Sequence, residues 1–304
     1  MPGYKVLICN DDGPPSSDES PFILTFIEQL EALGWEVSVC LPDTQKSWIS
    51  KSFMIKDHIG VKYYSRQSNR IQAHKSAPND FVLLSGTPAT CVNIGLHHVF
   101  KDTDFDVVIA GPNFGRNSAS IYTLASGTIG AALEATLCNK KAIALSFAFY
   151  DRDIQPPKIK NACSMAIKVI NKLMEINEWQ PAGLYNINVP LVEEECSVKV
   201  TNIYKTSYGS LFKPVTLEST PQNATNDESV ELSLRDEAER GEPLEYRFAP
   251  DFKALSGIPD AEVGTDTWAV HNKHISVTPL IASYACTPLD KVPRLEALTN
   301  LNKL

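Results

Sequence analysis

Apolar and polar positions along the chain alternate between two rhythms. Residues 5–9 are a short apolar run of strand length, closed by the turn-forming Asn10-Asp11-Asp12-Gly13. Beyond Pro21, the residues Phe22, Ile23, Phe26, Ile27, Leu30 and Leu33 recur at the i, i+4, i+8 spacing of an amphipathic helix. Gly34 falls just past its end, where a left-handed residue closes a helix, and 36–41 reads as a returning strand. The pattern continues with a strand at 81–84 and a helix over 89–99 opened by Pro88. A strand at 106–110 follows, then an Ala-rich helix at 128–138 and a strand at 142–147. An amphipathic helix at 159–174 leads to a strand at 184–189. Short strands joined by crossover helices predict a mostly parallel sheet with helices packed on it.

After Pro190 the texture changes. Residues 197–250 alternate short β-type runs with polar, Pro-containing stretches, and 218–245 is acidic and poor in aromatics. This predicts a long hairpin arm leaving the core. A strand at 275–280 returns to it, and the tail from 290 reads as helical or frayed. The expected organisation is a core over 1–190 and a C-terminal part over 191–304 packed on it as one unit.

Composition narrows the chemistry. With 304 residues the chain exceeds the usual size of one domain, roughly 100–200 residues. A net charge of −8 argues against a broad nucleic-acid footprint, though a bound divalent cation can reverse the field locally. Seven cysteines are scattered without a C-x-x-C pair, and several lie in apolar runs, as free thiols do in a reducing interior. No signal-type apolar region opens the chain and no apolar stretch nears the ~18 residues of a membrane span. Cytoplasmic residence without membrane partners is the expectation.

Several polar loops then follow strand ends, where open α/β sheets bind ligands. Asp11 and Asp12 on one turn can converge on a hard cation that prefers oxygen; as a bare tetrapeptide, Asn10 to Gly13 equally makes a simple turn. Gly111-Pro112-Asn113-Phe114-Gly115-Arg116-Asn117 is a second such loop, from which Asn113 or Asn117 can offer an amide oxygen. Ser126-Gly127-Thr128 opens a helix and can present backbone N–H groups to phosphate, or merely cap the helix. Ser85-Gly86-Thr87-Pro88 carries the same two readings. Leu41-Pro42-Asp43 leads to Lys46, which can offer a phosphate contact, and Ser47, which can offer a hydroxyl ligand, although most such loops are only solvated surface. Neither a G-x-S-x-G elbow nor a Walker-type loop is present, which disfavours serine hydrolases and P-loop enzymes.

Taken in order, these segments resemble the SurE (survival protein E) nucleotidase family. The motifs are Asn10-Asp11-Asp12-Gly13, Leu41-Pro42-Asp43 with Ser47, Ser85-Gly86-Thr87-Pro88-Ala89, Ala110-Gly111-Pro112-Asn113 through Asn117, and Ser126-Gly127-Thr128. Asn188-Val189-Pro190 and Thr265-Asp266 ahead of Ile275-Ser276-Val277-Thr278-Pro279-Leu280 complete the series. The resemblance implies a Rossmann-like three-layer α/β/α sandwich with a C-terminal β-hairpin arm that takes part in a homodimer or higher homo-oligomer. It also implies hydrolysis of nucleoside monophosphates and other phosphomonoesters, dependent on one divalent metal ion, Mg²⁺ or Mn²⁺. Its metal ligands would be Asp11, Asp12, Ser47 and Asn113, with Asp11 or Asp12 orienting the attacking water. Ser126, Gly127 and Thr128 would hold the phosphate, with Asn117 beside them. Pro112 departs from the usual family motif, where isoleucine is the common residue, and Lys46 stands where arginine is more frequent. The acidic stretch within the arm resembles fungal or other eukaryotic members. Two rival readings share the acidic strand-end cluster: a metal-dependent glycosyl-transfer enzyme using nucleotide sugars, and a catalytically silent nucleotide-binding module.

Overall fold

The computed structural model describes residues 3–151, 153–215, 245–251 and 261–284. The predicted acidic stretch within the arm, Cys286 and the predicted C-terminal tail lie wholly or almost wholly outside the described residues.

The strands are β1 (Lys5–Cys9), β2 (Glu36–Pro42), β3 (Val61–Ser65), β4 (Arg70–Gln72), β5 (Phe81–Leu84), β6 (Val107–Phe114), β7 (Ala142–Ala148), β8 (Gly183–Pro190), β9 (Val198–Val200), β10 (Phe212–Val215), β11 (Glu245–Phe248) and β12 (Ile275–Ile281). The helices are α1 (Ile23–Ala32), α2 (Pro88–Ile94), α3 (Ala119–Ala125), α4 (Gly127–Leu137), α5 (Pro156–Ile176) and α6 (Asp266–His271). All strands except β10 and β11 join one sheet in the order β4-β3-β5-β2-β1-β6-β7-β8-β12-β9. Strands β5, β2, β1, β6, β7 and β8 run parallel, and β12 returns antiparallel to β8. The expected mostly parallel, Rossmann-like sheet is therefore present. Described parts of the arm form the antiparallel pair β10–β11.

Side-chain alternation sorts the strands onto two faces. From β1, Val6 and Ile8 join one core with Phe22, Phe26, Ile27 and Leu30 of the α1 segment and Ile159, Ala166 and Ile170 of α5. Leu7 and Cys9 face the other core, with Cys91 and Val92 of α2 and Ala131, Ala132 and Ala135 of α4. Strand β7 splits likewise: Ile143, Leu145 and Phe147 point to the first face, Ala142 and Ala144 to the second. Small side chains on both partners let α4 lie close to the sheet. The six cysteines among the described residues are free.

The chain runs outward from β1 through β2 to β5, then starts again at β6 and proceeds to β8. The two directions part between β1 and β6, the switch point where a crevice opens beyond the strand ends. Asp11 and Asp12 follow one of these strands and Asn113 sits near the end of the other.

Boundaries differ from expectation at four places. Strand β6 does not end at Ala110 but runs on to Phe114, through Gly111 and a cis Gly111–Pro112 bond. Pro112 costs no ladder bond, because the pairing with β7 shifts register between Ala110 and Asn113. Helix α2 stops at Ile94 and a π-helical turn covers Gly95–Val99. Strands β3 and β4 occupy a stretch in which no element was expected. Helices α3 and α6 are short segments without a readable apolar stripe.

Candidate active site

The turn after β1 is built by Asn10. Its side-chain amide donates to the Gly13 carbonyl (2.9 Å) and to Ser20 (3.1 Å), while its oxygen accepts from the Gly13 N–H (3.0 Å). Gly13 closes the turn at φ +86°, a conformation that favours glycine. Asn10 is fully buried, so the amide is not surface punctuation; it fixes where Asp11 and Asp12 point.

Both carboxylates are 3% exposed. Asp11 accepts a hydrogen bond from the Thr128 hydroxyl. Burial raises its carboxyl above the ordinary range, opposed by that hydroxyl and by the backbone amides of Thr128 and Gly127. Asp12 accepts from the Phe114 N–H (2.7 Å), and is pushed well above its ordinary value by burial and then by the charge of Asp11. The N-terminus of α4 thus engages Asp11 directly. Thr128 acts on the carboxylate, and Ser126 caps the helix by accepting from the Ile129 N–H (3.1 Å).

Gly127 allows this approach. A Cβ there would lie 2.8 Å from the Asp11 Cβ and 2.9 Å from its Oδ2. Gly127→Ala is therefore expected to lower turnover by about a hundredfold, the scale of a 1 Å misplacement. Overpacking a buried site costs about 1–3 kcal/mol, so thermal melting should fall by a few degrees as well. Unaltered turnover would show that the position of Asp11 is not critical.

The loop bearing Ser47 is pinned at both ends. The Lys46 N–H donates to the Asp11 carbonyl (2.7 Å) and the Ser50 N–H to the Ala125 carbonyl (2.9 Å). Lys51 pairs with the buried Glu134 of α4 at 2.6 Å. Ser47 itself is exposed and lines the cavity described below, whereas Lys46 does not. Asn113 donates its Nδ2 to the Gly115 carbonyl (2.8 Å), which leaves its oxygen for a ligand.

Asn117 is a buried hub. Its N–H donates to Asn188 (2.7 Å), its side-chain amide to Ser146 (2.9 Å), and its carbonyl accepts from Asn186 (2.8 Å). Two residues later the Ala119 N–H, at φ +62°, donates to Asp266 (3.0 Å), whose other oxygen accepts from Tyr204 and Thr267. Asp266 is fully buried, and burial raises its carboxyl against these donors. Thr87 takes the capping role at α2, accepting from the Thr90 N–H (3.2 Å), and the segment from Ser85 to Pro88 does not reach the cavity.

A cavity of about 620 Å³ opens at this place. Asp11, Ser47, Asn113, Asn117 and Ser126 form its polar part, and Trp48, Phe114, Tyr122, Phe149 and Tyr150 its aromatic walls, with Arg116 and His271 beside them. The structure so gathers Asp11, Ser47, Asn113, Asn117 and Ser126 from separate loops; Asp12, Gly127 and Thr128 stand directly behind them. Phe114 and Arg116 belong to the second loop, while the other aromatic residues and His271 carry no motif spacing, because four further chain segments contribute them.

Two adjoining buried carboxylates leave negative charge uncompensated by any nearby basic side chain among their strongest influences. A hard divalent cation would compensate it, and the further donors at hand, a Ser hydroxyl and an Asn amide oxygen, suit Mg²⁺ or Mn²⁺. Among the described residues no group of three or more His, Cys, Asp or Glu is gathered at one point, so the candidate set consists of this pair with neutral oxygen donors. The donor set fits the expected ion.

The family profile described as "Survival protein SurE" matches residues 6–210. A Saccharomyces cerevisiae protein named "Probable tubulin--tyrosine ligase PBY1" is 31% identical over 92% of this chain, which spans 41% of that protein. "5'-nucleotidase SurE" of Petrotoga mobilis is 30% identical over 69% of this chain and 76% of its own length. The crystal structure of a SurE protein from Aquifex aeolicus superimposes with a TM-score of 0.67 at 26% identity, covering 97% of this chain and 99% of that one.

Proposed function

Since this chain belongs to the SurE family, we propose that it is a divalent-metal-dependent phosphomonoesterase acting on nucleoside monophosphates. The observation that carries the reading is the buried pair Asp11 and Asp12: Asp11 is bound at the start of α4 and lines a cavity polar at one part and aromatic at the other, with Asp12 directly behind it. The ligase activity in the yeast protein's name forms no part of it.

Asp11, Asp12, Ser47 and Asn113 would hold the ion. When bound, such an ion supplies Lewis-acid polarisation of a phosphate oxygen and a water of lowered pKa. Asp11 is fixed by Thr128 and the first amides of α4, so its carboxylate would serve as a rigid ligand. Asp12 keeps Oδ2 on the Phe114 N–H, and its Oδ1 would orient the attacking water and take its proton. Ser126 and Asn117 border the space for the phosphate. Trp48, Tyr122, Phe149 and Tyr150 offer ring faces to a nucleobase, since every base presents a π-face to stack. Association of copies through the β10–β11 arm belongs to the same proposal.

The test is release of inorganic phosphate from 5'- and 3'-nucleoside monophosphates and an aryl phosphate in the presence of Mg²⁺ or Mn²⁺. Phosphate should appear with each class of monoester. A glycosyl-transfer enzyme would instead consume a nucleotide sugar, and a silent module would release nothing; either result would overturn the reading.

A further inference from the structure

Arg116 is the one permanent cation lining the cavity among the described residues. It lies between Gly115 and Asn117, and both neighbours are fixed: the Gly115 N–H donates to the Phe147 carbonyl (3.2 Å) and the Asn117 N–H to Asn188 (2.7 Å). The guanidinium sits 5.9 Å from the centroid of the Tyr122 ring, which holds the side chain against one wall. Its charge also acts on the phenols of both Tyr122 and Tyr150, so it stands within electrostatic reach of two walls.

Several half-buried cations among the described residues have carboxylate partners: Arg66 with Glu31 at 2.6 Å, Lys51 with Glu134 at 2.6 Å, Lys158 with Asp151 at 3.4 Å. Among the described residues Arg116 has none within 4 Å, although it borders the cavity that holds Asp11. Charge counting says what would complete it. One divalent cation balances the two carboxylates and leaves nothing over for a phosphomonoester dianion. The start of α4 adds about half an elementary charge, part of which already serves Asp11. A planar guanidinium with a two-pronged set of donors matches phosphate oxygens in a way an ammonium does not.

We infer that Arg116 is a phosphate-binding residue of this site, its guanidinium taking non-bridging oxygens of the substrate phosphate. The inference rests on the phosphomonoester reading and adds to it a residue of the 110–117 loop to which the family resemblance assigned no role.

The test uses the metal-loaded full chain and inorganic phosphate as probe. Binding is measured by titration calorimetry for the wild type, Arg116→Met and Arg116→Lys, alongside KM and kcat for an aryl phosphate. The methionine variant keeps an apolar contact with Tyr122 and removes the charge. It should bind phosphate about tenfold to a hundredfold more weakly, the scale of a lost charge-assisted hydrogen-bond pair. KM should rise by a similar factor with a smaller change in kcat. Arg116→Lys should recover part of the affinity, because it restores the charge without the fork. Phosphate affinity unchanged in Arg116→Met would overturn the inference while leaving phosphatase activity standing. So would a wild type that binds no phosphate. If phosphate binding depends on Arg116 but no ester is hydrolysed, the inference stands and the proposed function falls.

Discussion

Asp12→Asn protein saturated with Mg²⁺ or Mn²⁺ should release phosphate from a nucleoside monophosphate about 10²- to 10⁴-fold more slowly than the parent chain, the usual span for a lost general base. Asp11→Asn should fall in the same range, because it removes a rigid ligand held by Thr128. The same substitutions should stabilise the metal-free protein. Each carboxylate is buried, and Asp12 also feels the charge of Asp11. Removing one charge relieves both costs, and each kcal/mol gained is worth roughly 2–4 °C in a chain somewhat smaller than this one. The pH dependence follows from the direction of the shift. A carboxyl raised in the folded state keeps a proton that the unfolded chain has already released. Stability is therefore full below the ordinary carboxylate range and declines as pH rises through the raised value. The gain in Tm for the asparagine variant should appear above that window and vanish below it. A variant that is slower but no more stable without metal would show that the two charges are compensated by some other group. Near wild-type turnover in both variants would remove these residues from the mechanism.

Chelation carries the second large effect. Treating the wild type with EDTA should abolish turnover, and excess Mg²⁺ or Mn²⁺ should restore it. The independent readout is thermal: an ion present at a hundred times its Kd adds about 2.7 kcal/mol to folding stability. The wild type should then melt several degrees higher, whereas Asp12→Asn should shift far less, having lost half of the paired charge. Turnover that survives exhaustive chelation, or a Tm indifferent to divalent ions, would count against the ligand set Asp11, Asp12, Ser47 and Asn113.

Much of the parallel core was legible because its signals are local. Strand β1 and strand β5 fall on their predicted residues, and Gly34 adopts φ +81° where a helix end was expected. The carboxylate turn was legible for the same reason: Asn10, Asp11, Asp12 and Gly13 are contiguous. What stayed hidden depends on distant partners. Helix α3 has no side-chain cap of its own at Ser118, and its first N–H is satisfied by Asp266 from the C-terminal part. No window along the sequence contains both residues. Strand β6 runs past the predicted end at 110 into the polar loop, where the ladder slips register between Ala110 and Asn113. In the sequence Thr128 reads as a phosphate contact; in the fold its hydroxyl is bound to Asp11, a contact spanning 117 residues.

Asp266 carries one more consequence, concerning the order in which the protein assembles. A chain folded only as far as the family profile reaches, to residue 210, would hold both carboxylates but lack the acceptor for Ala119 and Tyr204 and the hydroxyl of Ser276 that meets Asn188 at 3.3 Å. The loop carrying Arg116 and Asn117 gains its last supports after the arm has been made and the chain has come back to the sheet. Competence to bind is in this sense topologically late, closed by contacts of high sequence separation.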